Sequence, residues 1–230
     1  KELNIYDPYK VTNPDTLEET KYETKTRFFY TSEGLYVSME MEQPRNTHVK
    51  RDLSRDDWQT KSDKVGLTID TSGDGKYGYW FSLGLGDSEG DGTLMPEKIY
   101  SSDWDGAWYG ATSDSDDGWS AEYYIPWSQV AMPKDADDRI INIHSIREVA
   151  HLNEEWSWPP VPDSVPQFIS LFQPARVNNV NLKQQWSVFP YASSSYDRID
   201  SESLTKLGAD FFWRPSTNAQ FTATINPDFG

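Results

Sequence analysis

The chain contains no cysteine, which excludes disulfide staples, thiol redox chemistry and cysteine-ligated zinc. It holds three histidines, His48, His144 and His151, and none has the spacing that gathers a metal on one helix face. No run of 18 apolar residues occurs, so a helical membrane span is not predicted. Lys1-Glu2-Leu3 carries no apolar leader, and the chain reads as processed or trimmed. Basic residues are scarce as well, 21 Lys and Arg against 37 Asp and Glu, for a net charge of −16. That balance lacks the basic footprint of a nucleic-acid binder and favours solubility and divalent cations. There is neither a Gly-x-Ser-x-Gly elbow nor a phosphate-binding glycine loop, since Gly84-Leu85-Gly86 precedes no helix pattern. No catalytic residue is assigned and an enzyme is not expected, because acids are so plentiful that a chance pair carries little weight.

Aromatic residues are abundant. Ten Trp and thirteen Tyr lie among 230 residues, and they supply buried area that a 36% hydrophobic content would otherwise not. Short alternating runs bounded by Gly, Asp, Asn and Pro recur along the chain. Thr24–Tyr30 and Leu35–Glu42 form a hairpin across Ser32-Glu33-Gly34, and Lys64–Asp70 with Tyr77–Leu85 form another. Ala107–Ser113 and Gly118–Ile125 pair across an Asp-rich turn, and Ile140–Glu148 is a strand with apolar residues on both faces. Residues 126–130 read as one helical turn. The fold predicted is all-β, an antiparallel β-sandwich over residues 1–174.

Composition shifts near residue 175. Trp186–Tyr191, Leu204–Arg214 and Ala219–Asn226 are extra C-terminal strands, and in the last of these Phe221, Ala223 and Ile225 share one face while Thr222 and Thr224 share the other. Outer-membrane barrel strands show that dyad, and so do ordinary amphipathic hairpins. Residues 175–230 are expected to begin a second, barrel-like β domain, cut from something longer.

Two side-chain sets carry candidate chemistry. Asp70, Asp74, Asp87 and Asp91, with Glu89, cluster around the turns Asp70-Thr71-Ser72-Gly73-Asp74-Gly75 and Asp87-Ser88-Glu89-Gly90-Asp91-Gly92. Hard oxygen ligands at short spacing in glycine-containing loops suit structural Ca²⁺, although neither turn is an EF-hand loop, and Asp-Gly is also ordinary hairpin chemistry. The second set is tryptophan in polar context. Trp58 lies in the polar stretch 55–63, and Trp156 and Trp158 lie among Asn153-Glu154-Glu155 and Pro159-Pro160. Exposed rings of this kind stack on sugar faces, and loop tryptophans also plug sandwich ends.

The strings Lys25–Val37, Ser62–Asp70 and Gly118–Pro126 resemble successive strands of family 9 carbohydrate-binding modules. Trp104-Asp105-Gly106-Ala107-Trp108, Trp158-Pro159-Pro160 and Thr224–Gly230 are similar to a bacterial family in which such a module precedes a β-barrel domain of uncharacterised function. The resemblance implies a jelly-roll-like sandwich with structural Ca²⁺, exported to the periplasm, outer membrane or cell surface of a Gram-negative bacterium. It also implies a polysaccharide or oligosaccharide partner held between two Trp rings, here Trp58 and either Trp156 or Trp158. A membrane enters only through the missing barrel. Gly66 stands where those modules carry an acid, and Trp80, Ser82 and Gly84 stand where they carry amide and basic residues. The function expected is non-catalytic glycan binding in a cell-envelope protein. The rivals are a structural or capping domain that has lost sugar binding and, more weakly, a glycoside hydrolase.

Overall fold

The computed structural model describes residues 2–5, 8–51, 61–133, 138–180, 185–197, 202–216 and 219–226. They divide into two compact units, Lys1–Asn181 and Leu182–Gly230.

The first unit is an antiparallel β-sandwich. Its first sheet has the order β1 (Glu2–Ile5), β3 (Thr24–Tyr30), β4 (Gly34–Glu42), β10 (Gly118–Pro126) and β9 (Tyr109–Asp114). The second runs β2 (Lys10–Asn13), β12 (Glu154–Trp158), β11 (Asp138–Val149), β5 (Lys64–Asp70), β6 (Gly78–Gly84), β7 (Ser88–Met95) and β8 (Ile99–Ser101). In that sheet β13 (Gln173–Asn178) also pairs with the first half of β11. Residues 175–178 therefore belong to the sandwich, and the division falls later than the expected 174/175.

Alternation builds the core. On β4 the residues Leu35, Val37, Met39 and Met41 are buried, and on β10 Trp119, Ala121, Tyr123 and Ile125 are buried, while their neighbours face outward. They meet Val65, Leu67 and Ile69 of β5 and Phe81 and Leu83 of β6. Each such side chain contributes roughly 1.5–3 kcal/mol on burial. The β3–β4 hairpin is closed by Thr31, whose hydroxyl accepts from the amides of Glu33 and Gly34 at 3.1 and 3.3 Å.

β5 is buried along its whole length because both of its faces are covered. One faces the first sheet. The other lies beneath residues 159–172, which contribute Val161, Phe168, Ile169 and Phe172 to a second apolar cluster with Trp80 and Leu94.

The second unit is a meander of β14 (Gln185–Asp197), β15 (Glu202–Ser216) and β16 (Ala219–Ile225). Its register sorts side chains by face. Trp186, Trp213 and Phe221 form one row, Val188, Phe211 and Ala223 the next, and Pro190, Ala209 and Ile225 the third. Ala192 and Leu207 extend that face, so it is apolar throughout these rows, with Trp186, Leu207 and Ile225 well exposed. The opposite face is mixed: Lys206, Asp210, Thr222 and Thr224 share it with Phe212, and there the Tyr191 ring lies over Gly208, where a Cβ would stand 2.3 Å from its hydroxyl oxygen.

Candidate functional site

The outward face of the second sheet carries a cleft of about 240 Å³. Register fixes its floor. Lys64, Gly66 and Thr68 of β5 sit opposite Gly84, Ser82 and Trp80 of β6 on one side, and opposite Glu148, Ile146 and His144 of β11 on the other. Glu155 of β12 pairs with Glu148. Trp80, Tyr100 and Phe168 form aromatic walls, and Lys64, Lys98, Glu148, Glu155 and Asp163 line the polar rim.

Gly66 is glycine for a steric reason, because a Cβ there would stand 2.7 Å from Ile146 Cγ1. The position that the resemblance associates with an acid is thus filled from the neighbouring strand. The polar groups come from elsewhere in the chain. Lys64 Nζ pairs with Glu148 Oε1 at 3.1 Å. Lys98 donates to the Asp163 carbonyl at 2.7 Å and lies 5.7 Å from the Phe168 ring centroid.

Electrostatics separate the two glutamates. Burial, then the Glu148 and Asp163 charges, push the Glu155 carboxyl up to about 7. Burial also raises Glu148, but the Lys64 ammonium opposes the shift and favours its ionised form. Like charges directly opposite across a strand pair repel, so at neutral pH the pair tends to retain one proton. His144 differs again. It is buried, stacked on Phe172 at 4.8 Å with Phe168 edge-on at 5.0 Å, and neither ring nitrogen has a partner among the described residues. Burial pushes its pKa down to about 3, so the ring is neutral at physiological pH. An unpartnered buried polar group costs about 1–3 kcal/mol, and this ring lines the cleft.

The expected tryptophan slot is not formed by Trp156 and Trp158. Both lie on β12, not in a loop, and they point between the sheets at 0% and 3% exposure. Trp158 pairs with Ser145, and Trp156 pairs with Arg147, whose guanidinium lies 4.9 Å from its ring. Glu155 and Ser157 alternate with them and take the cleft side. Trp58 lies outside the described residues.

The four aspartates expected to bind calcium do not form one site. The β5–β6 turn, with Asp70 and Asp74, and the β6–β7 turn, with Asp87, cap opposite ends of β6, a seven-residue strand about 20 Å long. Asp70 is fully buried, and its carboxylate accepts from the amides of Ser72, Gly73 and Gly75, the Ser72 hydroxyl and the Asn142 amide at 2.7–2.9 Å. That uses its lone pairs to fold a turn in which Gly73 and Gly75 both have a φ of 72°. Asp74 accepts from the Ser72 hydroxyl and the Lys76 amide. Asp87 accepts from the Thr112 amide and hydroxyl. Asp91 is buried and accepts from Trp108 Nε1 at 2.7 Å and the Gly106 amide at 3.1 Å. Among the described residues no three acidic or histidine side chains gather around a common point. These donor sets do not fit a shared Ca²⁺.

Sequence reasoning overlooked Tyr100, His144, Glu148, Glu155 and Asp163 as cleft residues. The signal for Glu155 was the alternation Glu155-Trp156-Ser157-Trp158, which is the period of a strand with one buried face. Nothing local announces Tyr100, which sits on the short edge strand β8, or Asp163, which reaches the cleft on the connection after β12.

No family model matches the chain, and no curated protein matches it. Among solved structures, a candidate carbohydrate-binding protein from Bacteroides uniformis ATCC 8492 is similar with a TM-score of 0.55 and 15% identity, covering 74% of this chain and 85% of that one. A family 9 carbohydrate-binding module from Caldicellulosiruptor kristjanssonii, solved with cellotriose, has a TM-score of 0.47 and 15% identity over 68% of this chain and 75% of its own. The same organism's family 9 module with glucose has a TM-score of 0.48 and 15% identity over 72% and 81%. At this level the first likeness establishes architecture alone: the chain contains a β-sandwich with the fold of the Bacteroides uniformis protein.

Proposed function

We propose that the sandwich is a non-catalytic carbohydrate-binding module whose ligand site is the cleft on the second sheet. One observation carries this reading. The cleft joins an aromatic wall to a rim of hydroxyl-competent donors and acceptors above a buried histidine whose ring nitrogens have no partner among the described residues. Sugars need that combination, with an apolar ring face to stack and hydroxyls to satisfy in both directions. Short neutral glucans, which offer both an apolar ring face and ring hydroxyls, are the first ligands to try. Isothermal titration of the whole chain with glucose, cellotriose and a glycan panel tests the reading. Tyr100→Ala and Lys98→Ala should each weaken the retained glycan about tenfold or more. A wild type that retains no glycan hands the fold to the structural, capping role.

The second unit extends the reading to the cell envelope. A meander with one face apolar through its described rows and a mixed opposite face, and with Trp186, Trp213 and Phe221 gathered in a single row, is compatible with a membrane barrel wall and its aromatic girdle. We read it as part of such a barrel wall, with the sandwich exposed to the periplasm or at the outer surface.

A hydrolase reading has one observation of its own, the cross-strand pair Glu148 and Glu155 with its acidities driven apart. Reducing-sugar release from any glycan that binds, abolished by Glu155→Gln, would establish it. Binding without release, unchanged by that substitution, leaves the module reading in place.

A further inference from the structure

The first sheet carries a second feature that the cleft does not use. Phe29 of β3, Tyr36 of β4, Tyr124 of β10 and Tyr109 of β9 stand opposite one another in register, so four rings form a single row across four strands. Their centroids are 5.7, 4.6 and 6.1 Å apart, and the last two pairs are stacked, with interplanar angles of 21° and 10°. All four point away from the sandwich core. Phe29 and Tyr109 are 47% and 66% exposed. The row spans about 14 Å, three strand spacings, and borders a shallow concavity of about 570 Å³.

The row is accommodated by backbone. A Cβ at Gly34 would stand 2.5 Å from Tyr124 Cε2, so glycine makes the room in which that ring lies. The adjoining row on the same face is polar and runs Arg27, Ser38, Glu122 and Ala111 in register. Arg27 is neutralised within the face by Glu40, 2.5 Å away.

We propose that this row is a second carbohydrate-binding surface, which takes an extended uncharged polysaccharide laid across the strands. Sugar faces rest on the tyrosine rings, and their hydroxyls reach the phenol oxygens, Arg27 and Glu122. Three features select this occupant. The row runs out at the edge strand that carries Tyr109, which suits a polymer passing across the sheet, whereas a protein anchor fills an enclosed pocket. The exposed phenol of Tyr109 and the remaining hydrogen-bonding capacity of the Tyr36–Tyr124 pair match sugar hydroxyls, which an acyl chain does not offer. The net charge of −16, with Glu40 and Glu122 on this face, repels anionic polymers, anionic lipid and a second copy of the chain. The surface lies on the opposite sheet from the cleft and does not depend on it.

Affinity electrophoresis of the whole chain through gels containing hydroxyethylcellulose, barley β-glucan or galactomannan tests the proposal, with cellotriose titration run in parallel. Tyr109→Ala, and the triple substitution Tyr36→Ser, Tyr109→Ser and Tyr124→Ser, should reduce retardation about tenfold or more and leave cellotriose affinity unchanged. The cleft variant Lys98→Ala should do the reverse. If the triple variant fails to fold, Tyr109→Ala at its exposed edge position decides alone. Retardation lost in the row variants while cellotriose never binds would sustain this surface and remove the cleft reading. The proposal is overturned if no neutral polysaccharide retards the wild type, or if Tyr109→Ala is retarded like wild type. It is also overturned if sedimentation shows Tyr109→Ala turning a dimer into a monomer, which makes the row a self-association face.

Discussion

Single carboxylates in this chain act mainly as backbone organisers. Asp63 is fully buried, and it accepts from Gln43 at 2.9 Å, the Val49 amide at 2.7 Å and the Ala150 amide at 2.9 Å, tying three segments at the start of β5. Asp70 does the same for the β5–β6 turn. Asp70→Asn converts one acceptor oxygen into a donor facing turn amides, and it should lower stability by about 1–3 kcal/mol. Thermal melts in Ca²⁺ and in excess chelator should show the same loss, since the role is turn formation. A loss confined to the Ca²⁺ arm would return Asp70 to metal binding. Two titrating groups give stability opposite slopes with pH. His144 is held neutral by burial, so protons favour the unfolded state as pH falls from about 6.5 toward about 3, and stability rises with pH across that window by up to ~1.4 kcal/mol per unit. Glu155, raised to about 7, favours the folded state while protonated, and its contribution is lost as pH rises from the ordinary carboxylate range through 7. In urea unfolding across pH 4–8, stability should therefore rise more steeply with pH in Glu155→Gln, whereas His144→Phe should shift the slope downward and expose the fall that Glu155 causes between about 4.5 and 7.

At the scale of elements, legibility followed periodicity. The hairpins β3–β4 and β5–β6 and the strand β10 are plain in the sequence, because one alternating face is apolar and a turn of Gly, Ser or Asp closes each hairpin. Trp156 and Trp158 were misplaced because neighbouring Glu and Pro suggest a loop, yet their two-residue spacing already put both on one face. The cleft was the least legible part. Its floor joins the β5–β6 hairpin to β11, more than fifty residues later, and Asp163 and Phe168 come from a connection whose position only tertiary packing sets. Gly66 illustrates the coupling between strands. Gly66→Ala should destabilise by about 1–3 kcal/mol through overpacking against Ile146, and Ile146→Ala should recover part of that loss in a double-mutant cycle. Additive effects would mean that the two sites do not share the space.

Over the whole molecule, stability is unequally distributed. The sandwich buries two apolar layers, whereas the three-stranded meander leaves its apolar face exposed. Residues 1–181 alone should retain the main melting transition of the full chain to within a few degrees, with the near-ultraviolet tryptophan signal intact. Loss of that transition on truncation would show that the second unit is part of the same cooperative fold. Arg147 is a fully buried cation in the sandwich. Its guanidinium donates to the Glu23 and Glu42 carbonyls, to Thr24 and to Gln43, binding the ends of both sheets together. Arg147→Met should cost about 3 kcal/mol or more, measured by urea unfolding of the same fragment.

The meander has a practical consequence for handling the protein. Among the described residues, the outer edges of β14 and β16 pair with no further strand, and such edges are templates for strand addition. Behaviour in storage should thus depend on concentration and salt. The acidic charge holds copies apart in dilute low-salt buffer, and screening removes that protection and lets edge joins edge into insoluble ribbons.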